Sequence, residues 1–193
     1  MTSHLFAWLG RMKFIRRWGL MHNTWPENIQ EHSLRVAMVA HTLALIRNRS
    51  HGGKVSPERA ATLALYHDVA EVLTGDLPAP VKYTNPAIRD AYREIEASAA
   101  EKLLELVPAA LRADYRPLFF PEDADREHWV LVHAADKICA WIKCLEEVSA
   151  GNHEFTRAEK ALRETVEGLG LPEVHEFVET FSPGFRLTLD ELG

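Results

Sequence analysis

Cysteine and positive charge are both in short supply in this chain. Only two of its 193 residues are cysteines, Cys139 and Cys144. Five positions apart on a helix, they would point about 140° away from each other. That geometry excludes a disulfide between them, and two thiols are too few for a structural zinc site. Both read as reduced core residues, which suits a cytoplasmic protein. Lysine and arginine total 22 against 28 acids, a formal net charge of −6. The basic footprint of a protein that binds a nucleic acid polymer is therefore missing. No stretch approaches the roughly 18 uninterrupted apolar residues of a membrane span. The apolar opening at residues 4–9 is short and lacks a small-residue cleavage site, so it does not read as a signal peptide.

What the chain does have is helix signal. Hydrophobic residues make up 47%, enough for one core, and residues 1–193 read as a single all-α domain. A short amphipathic stretch covers 5–18. Asn28 opens a long helix with Glu31 three residues on, in a capping-box-like arrangement, and Val36, Val39, Ala40 and Leu43 form its buried stripe. Ser56-Pro57-Glu58 is an N-cap, an N1 proline and an early acid. The helix it starts carries Leu63, Tyr66, Ala70 and Leu73 and stops near Gly75. Leu77-Pro78-Ala79-Pro80 reads as a loop incompatible with helix. Asn85-Pro86 begins another helix, with Ile88, Tyr92, Ile95, Ala99, Leu103 and Leu106 at helical spacing. A polar, proline-bearing stretch spans 108–123. Residues 125–150 are the most apolar segment and predict a buried central helix. Two shorter helices follow, near 157–169 and 172–181.

Polar residues inside such helices need a reason. His67-Asp68 falls among Leu65, Tyr66, Val69 and Ala70. Adjacent helical side chains diverge by about 100°, so a shared target lies over the edge between them, as a divalent cation would. His32 sits near the start of the preceding long helix. Asp136 sits in the middle of the apolar one, where an unpaired carboxylate costs several kcal/mol by typical estimates. Two imidazoles and two carboxylates make a mixed N/O set suited to Mn²⁺, Fe²⁺, Co²⁺, Ni²⁺, Cu²⁺ or Zn²⁺.

The order His…His-Asp…Asp on successive helices resembles the HD-domain superfamily of metal-dependent phosphohydrolases. Longer segments are similar to the bacterial 5′-deoxynucleotidases of the YfbR type: Arg16-Arg17-Trp18, Glu31-His32-Ser33-Leu34, residues 66–78 from Tyr66-His67-Asp68 to Asp76-Leu77-Pro78, Val81-Lys82-Tyr83, Ala135-Asp136-Lys137, and Lys143-Cys144-Leu145-Glu146-Glu147. The resemblance spans nearly the whole chain. It implies an HD-domain helical bundle and a homodimer. It also implies hydrolysis of deoxyribonucleoside 5′-monophosphates to deoxyribonucleoside and phosphate.

The resemblance further implies one divalent cation held by His32, His67, Asp68 and Asp136, with Glu71 and Asp76 in the catalytic set. Glu71 is four residues beyond His67, on the same face if the helix is continuous. Asp76 follows Gly75, where a loop can aim it. The expected chemistry is in-line attack on phosphorus by a water that the cation acidifies, with Asp76 or Glu71 protonating the leaving group. Arg17, Trp18, His32, Asp76 and Asp136 are the expected substrate contacts. Arg17 would grip phosphate, and Trp18 would leave no room for a 2′-hydroxyl, selecting against ribonucleotides. Lys82 and Ser33 are further candidates near the phosphate.

Other residues read more plainly. His41, nine positions after His32, lies about 180° round the helix and cannot share the site. His133 reads as a satisfied core histidine. His4, His22, His51, His128, His153 and His175 read as exposed. Trp8, Trp25, Trp129 and Trp141 read as core or interface, and Phe119 and Phe120 as exposed aromatics that make a dimer plausible. Glu146-Glu147 reads as a solvated face or the rim of the site.

Overall fold

The computed structural model describes residues 2–82 and 84–193. Among them there are ten α-helices and no strand: α1 (Leu5–Leu9), α2 (Ile29–Ser50), α3 (Pro57–Tyr66), α4 (Glu71–Thr74), α5 (Ala79–Lys82), α6 (Pro86–Leu106), α7 (Arg112–Phe119), α8 (Arg126–Ser149), α9 (Thr156–Glu167) and α10 (Pro172–Phe181). Short 3₁₀ turns join several of them. The all-helical expectation holds.

The long helices start where their caps are. Asn28 accepts the Gln30 and Glu31 amides at the head of α2, satisfying two of the donors every helix start exposes. Ser56 accepts the Arg59 amide ahead of Pro57. Asn85 does the same for Ile88 ahead of Pro86. Helix α8 runs through the middle and packs on α2, α3 and α9. Its Leu131, Val132, Ile138 and Ile142 are fully buried, against Val36, Ala40 and Leu43 of α2.

The sequence reading needs correction in several places. The helix expected to run unbroken from Ser56 to Gly75 breaks at His67-Asp68. Across the break the amides of His67, Val69 and Glu71 bond three residues back, to Ala64, Tyr66 and Asp68. The cause is the His67 ring, whose Nδ1 takes the Ala64 carbonyl at 2.8 Å. That oxygen is the one a continuing α-helix would give to the amide of residue 68. Ala79 and Pro80, expected as the end of a loop, instead open α5. Its Pro80 sits in the first turn, where a missing N–H costs nothing. The amphipathic stretch 5–18 forms α1 and a 3₁₀ turn, then an isolated bridge from Arg16 to Asn28 and a bend at Arg17-Trp18.

The 108–123 stretch contains α7, whose Tyr115 and Phe119 pack edge-on and tilted against Tyr66 of α3. Phe119 is therefore buried and Phe120 half-buried, not exposed. On α6 the reverse occurs: Ile88 and Ile95 keep their helical spacing yet stay exposed. His133 is exposed against the Trp129 ring, not in the core. His128 is half-buried, between Asp125 and the Ser56 amide. Trp25 is exposed. No described helix is long and apolar enough to cross a membrane.

Candidate metal centre and active site

Three helical segments deliver the predicted ligands. His32 comes from the second turn of α2 and is fully buried. His67 and Asp68 come from the break after α3, and Asp136 from the middle of α8. His32, His67 and Asp68 each offer a ligand atom within 4.8 Å of one another. His67 Nε2 lies 3.1 Å and His32 Nε2 3.7 Å from Asp68 Oδ2. Asp136 joins through His32, its Oδ1 3.0 Å from His32 Nε2, while its Oδ2 meets Lys137 Nζ at 2.9 Å. His41 stays away, in a shallow groove with Leu34, Met38 and Leu65.

A cation fits this donor set. His67 gives its Nδ1–H to Ala64, which leaves Nε2, buried and facing Asp68, as the nitrogen that can give up its proton to take a cation. Pinning the far nitrogen of a histidine on a carbonyl is how metal-binding imidazoles are commonly oriented. The carboxylates are ready as anions. Burial pushes Asp68 up, but His67, His32 and Arg17 outweigh it and hold its pKa at about 2. Asp136 is likewise held well below the usual carboxylate range by His32 and Lys137, against its burial.

Glu71 behaves oppositely. It is nearly buried, Oε2 has no partner, and burial together with Asp68 and Asp76 pushes its pKa up to about 10. Asp76 is raised as well, mainly by burial, with Arg17 and the Trp18 amide pulling it back. It sits where expected, just past α4. The turn is made by Gly75 at a φ of 75°, in the left-handed region that a side chain disfavours.

Arg17 and Trp18 reach this centre from the bend that follows Arg16, ahead of α2. Arg17 Nη1 lies 3.4 Å from Asp68 Oδ2. Its Nε meets Glu27 Oε2 at 3.1 Å. Trp18 is the one non-glycine among the described residues with positive φ, 59°, a conformation costing roughly 1–3 kcal/mol that the surroundings must offset. Asn23 Nδ2 donates to the Trp18 carbonyl at 3.2 Å. The ring rests on buried Phe155, centroids 5.5 Å apart, and Trp18 Nε1 donates to Glu27 at 3.3 Å. Lys82 pairs with Glu96 and lies over Tyr92, and Ser33 is buried with Oγ unpartnered. Tyr83, from the same motif, is outside the described residues.

A family model described as 5′-deoxynucleotidase YfbR-like matches residues 4–185. The chain belongs to that family. A YfbR-like relative from Vibrio cholerae, named 5′-deoxynucleotidase, is 53% identical over 190 residues, covering 98% of each chain. Another of that name, from Shewanella oneidensis, is 50% identical over 98% of this chain and 97% of its own. Among solved structures, an HD-domain phosphohydrolase from Listeria innocua superposes with a TM-score of 0.80 at 23% identity, over 93% of this chain and 87% of its own. A cyanophage S-2L HD phosphohydrolase, bound to dA and one catalytic Zn²⁺, does so at 0.65 and 23%, over 97% and 99%. These two establish the HD-domain fold.

Sequence reasoning missed the supports of this YfbR-like site. Glu27 and Asn23, which hold Arg17 and Trp18, carry no motif signal. Glu147 does. It stands four residues after Lys143 in the most apolar helix, and both are buried rather than solvated. Glu147 accepts the amides of Thr24 and Trp25 and the Asn152 side chain. Lys143 donates to the Trp25 carbonyl. An oppositely charged i, i+4 pair in such a segment points to a buried knot.

Proposed function

We propose that this chain is a hydrolase of deoxyribonucleoside 5′-monophosphates that releases deoxyribonucleoside and phosphate, selects against ribonucleotides, and works with one divalent cation held by His32, His67, Asp68 and Asp136. The observation that carries the reading is the meeting of His32, His67 and Asp68 at one point, in a chain of the YfbR-like family. The cation supplies Lewis acidity toward phosphate and water. The cyanophage relative's Zn²⁺ supports a transition metal there.

The chain's own groups do the rest. Arg17 is charged at all working pH values and offers its guanidinium to a phosphate oxygen. Glu71, which keeps its proton at neutral pH, gives it to the departing 5′-oxygen. Asp76 holds substrate and takes the accepting role. Trp18 walls the sugar, so that a 2′-hydroxyl meets the ring. His32 and Asp136 flank the bound nucleotide as well as the metal.

The same reading makes the protein a cytoplasmic homodimer. Both cysteines are free and buried, in keeping with a reducing compartment. Leu34, Met38 and Leu45 of α2 and Leu65 of α3 are exposed, an apolar face that a second copy would cover.

The test is phosphate release from a panel of deoxy- and ribonucleoside 5′-monophosphates, with each metal added back to chelated protein. Release from the deoxy series alone is the expected result. No metal-dependent release from any of them would end the proposal.

A further inference from the structure

Arg17 and Trp18 are neighbours in sequence, yet their assigned tasks lie on different parts of a nucleotide, phosphate and sugar. One atom joins them. Glu27 Oε2 accepts from Arg17 Nε at 3.1 Å and from Trp18 Nε1 at 3.3 Å. We propose that Glu27 is the positioning residue that sets the phosphate grip and the sugar wall as a single unit. The proposal rests on the reading of Arg17 and Trp18 given above.

Glu27 is well placed to act as a reference point. Its carboxylate is buried, with the residue only 7% exposed, so water does not compete for Oε2. Its backbone is fixed to the strap it organises: the Arg17 amide donates to the Glu27 carbonyl at 3.0 Å, and the Ile29 amide donates to the Ile15 carbonyl at 3.0 Å. Immediately afterwards the chain enters α2, which carries His32. In sequence only the Asn28 cap separates Glu27 from that helix.

The two bonds differ in kind. Arg17 needs the negative charge. Its Nη1 already lies near Asp68 Oδ2, and Glu27 draws the other edge of the guanidinium away. Without that counter-pull Arg17 moves toward Asp68, and less of it is available to phosphate. Trp18 needs only an acceptor. The indole N–H is neutral, and the bond fixes the ring's rotation over Phe155. Backbone torsion alone does not set that rotation, because the side chain of a left-handed residue still has its own freedom.

That difference separates two substitutions. Glu27→Gln keeps an oxygen acceptor and loses the charge. It should raise KM for deoxyribonucleoside monophosphates about fivefold by weakening the Arg17 pairing, with kcat and the ribo-to-deoxy ratio of kcat/KM held within about twofold. Glu27→Met has similar bulk and, in place of the oxygens, only a weakly accepting thioether. It should raise KM and also raise the ribo-to-deoxy ratio about tenfold, as expected when a buried donor loses its partner. In a Trp18→Ala background Glu27→Met should leave the ratio unchanged, because it acts through the ring. Metal content and a cooperative melt are measured on every variant.

If Trp18→Ala shifts the ratio and Glu27→Met does not, the role of Glu27 is refuted while Trp18 keeps its own. If Trp18→Ala itself leaves the ratio alone, the selectivity reading fails and takes the Glu27 proposal with it. If Glu27→Met does not melt cooperatively, Glu27→Gln decides: higher KM at constant ratio supports the proposal, and unchanged KM overturns it.

Discussion

His67 hands its Nδ1–H to the carbonyl of Ala64, 2.8 Å away at the end of α3, and this one bond both ends the helix and turns Nε2 toward Asp68. A ring held in that orientation presents Nε2 to a cation without rotating. Replacing a group that merely orients a ligand weakens metal binding about 10–100-fold, so losing a ligand itself should do at least as much. His67→Ala and Asp68→Ala should therefore lose stoichiometric metal by elemental analysis and lose phosphatase activity together. Wild-type protein should melt higher with metal than with chelator. A site filled at about 100 times Kd adds roughly 2.7 kcal/mol, worth some 5–10 °C in a domain of this size. Full metal content in either variant would remove these residues from the ligand set.

Glu71 is buried, and its pKa is pushed up to about 10. Burial leads, and the negative charge of Asp68 and Asp76 adds to it. A proton held there at neutral pH makes Glu71 the better acid. Glu71→Gln keeps the shape and removes the transferable proton, so kcat should fall about 10²–10⁴-fold, the usual worth of general acid catalysis, while KM and metal content stay near wild type. A substrate with a leaving group that needs no proton, such as p-nitrophenyl phosphate, should lose much less. Equal losses on both substrates would mean that Glu71 does something else.

Trp18 stands in a backbone conformation that nothing about tryptophan favours. Such strain persists where the surroundings over-determine it, here through Asn23, Glu27 and Phe155. Trp18→Ala should raise the ribo-to-deoxy ratio of kcat/KM by about tenfold or more, the scale on which a steric wall discriminates. Trp18→Gly should do the same and melt no lower than Trp18→Ala, since glycine adopts φ near 59° without penalty. Competition kinetics with a deoxy- and ribonucleotide pair would show it; an unchanged ratio would take the sugar-selecting role from Trp18.

How far the sequence alone reached depended on the kind of signal. Periodicity found α2 and α8, because apolar residues at helical spacing have one place to go. Caps at Asn28, Ser56 and Asn85 marked true starts, because each satisfies a donor locally. The break at His67-Asp68 left no trace in periodicity, since a side-chain bond to Ala64 made it. Tyr115 and Phe119 were invisible inside a polar stretch because their partner, Tyr66, is distant in sequence. The convergence of His32 with His67 and Asp68 was legible from the resemblance to the order His…His-Asp…Asp, supported by the cost of burying polar groups that a shared cation removes. Glu27, whose importance is wholly in what it touches, had nothing local to announce it.

Lys143 and Glu147 put the last expectation to the test, since both are buried beneath the strap that carries Trp18 and Trp25. Burial alone would raise Glu147, but Lys143, the Trp25 and Thr24 amides and Asn152 reverse the sign and hold its pKa at about 2. A carboxylate whose folded pKa lies below its unfolded value adds stability that is complete above the unfolded value, near 4.5, and is lost as pH falls from there toward 2. Urea unfolding should thus show stability dropping between about pH 5 and pH 2, with a shallower drop in Glu147→Gln. Lys143→Met leaves Glu147 charged and buried without its partner, and should cost about 3–5 kcal/mol at neutral pH. In the Lys143→Met, Glu147→Leu double variant no charge is left unpaired, so part of that loss should return. The Thr24 and Trp25 amides lose their Glu147 acceptor only in the double variant, so ribonucleotide discrimination should fall there even as stability recovers. A double variant as discriminating as wild type would mean that the buried pair holds the fold and leaves Trp18 to other supports.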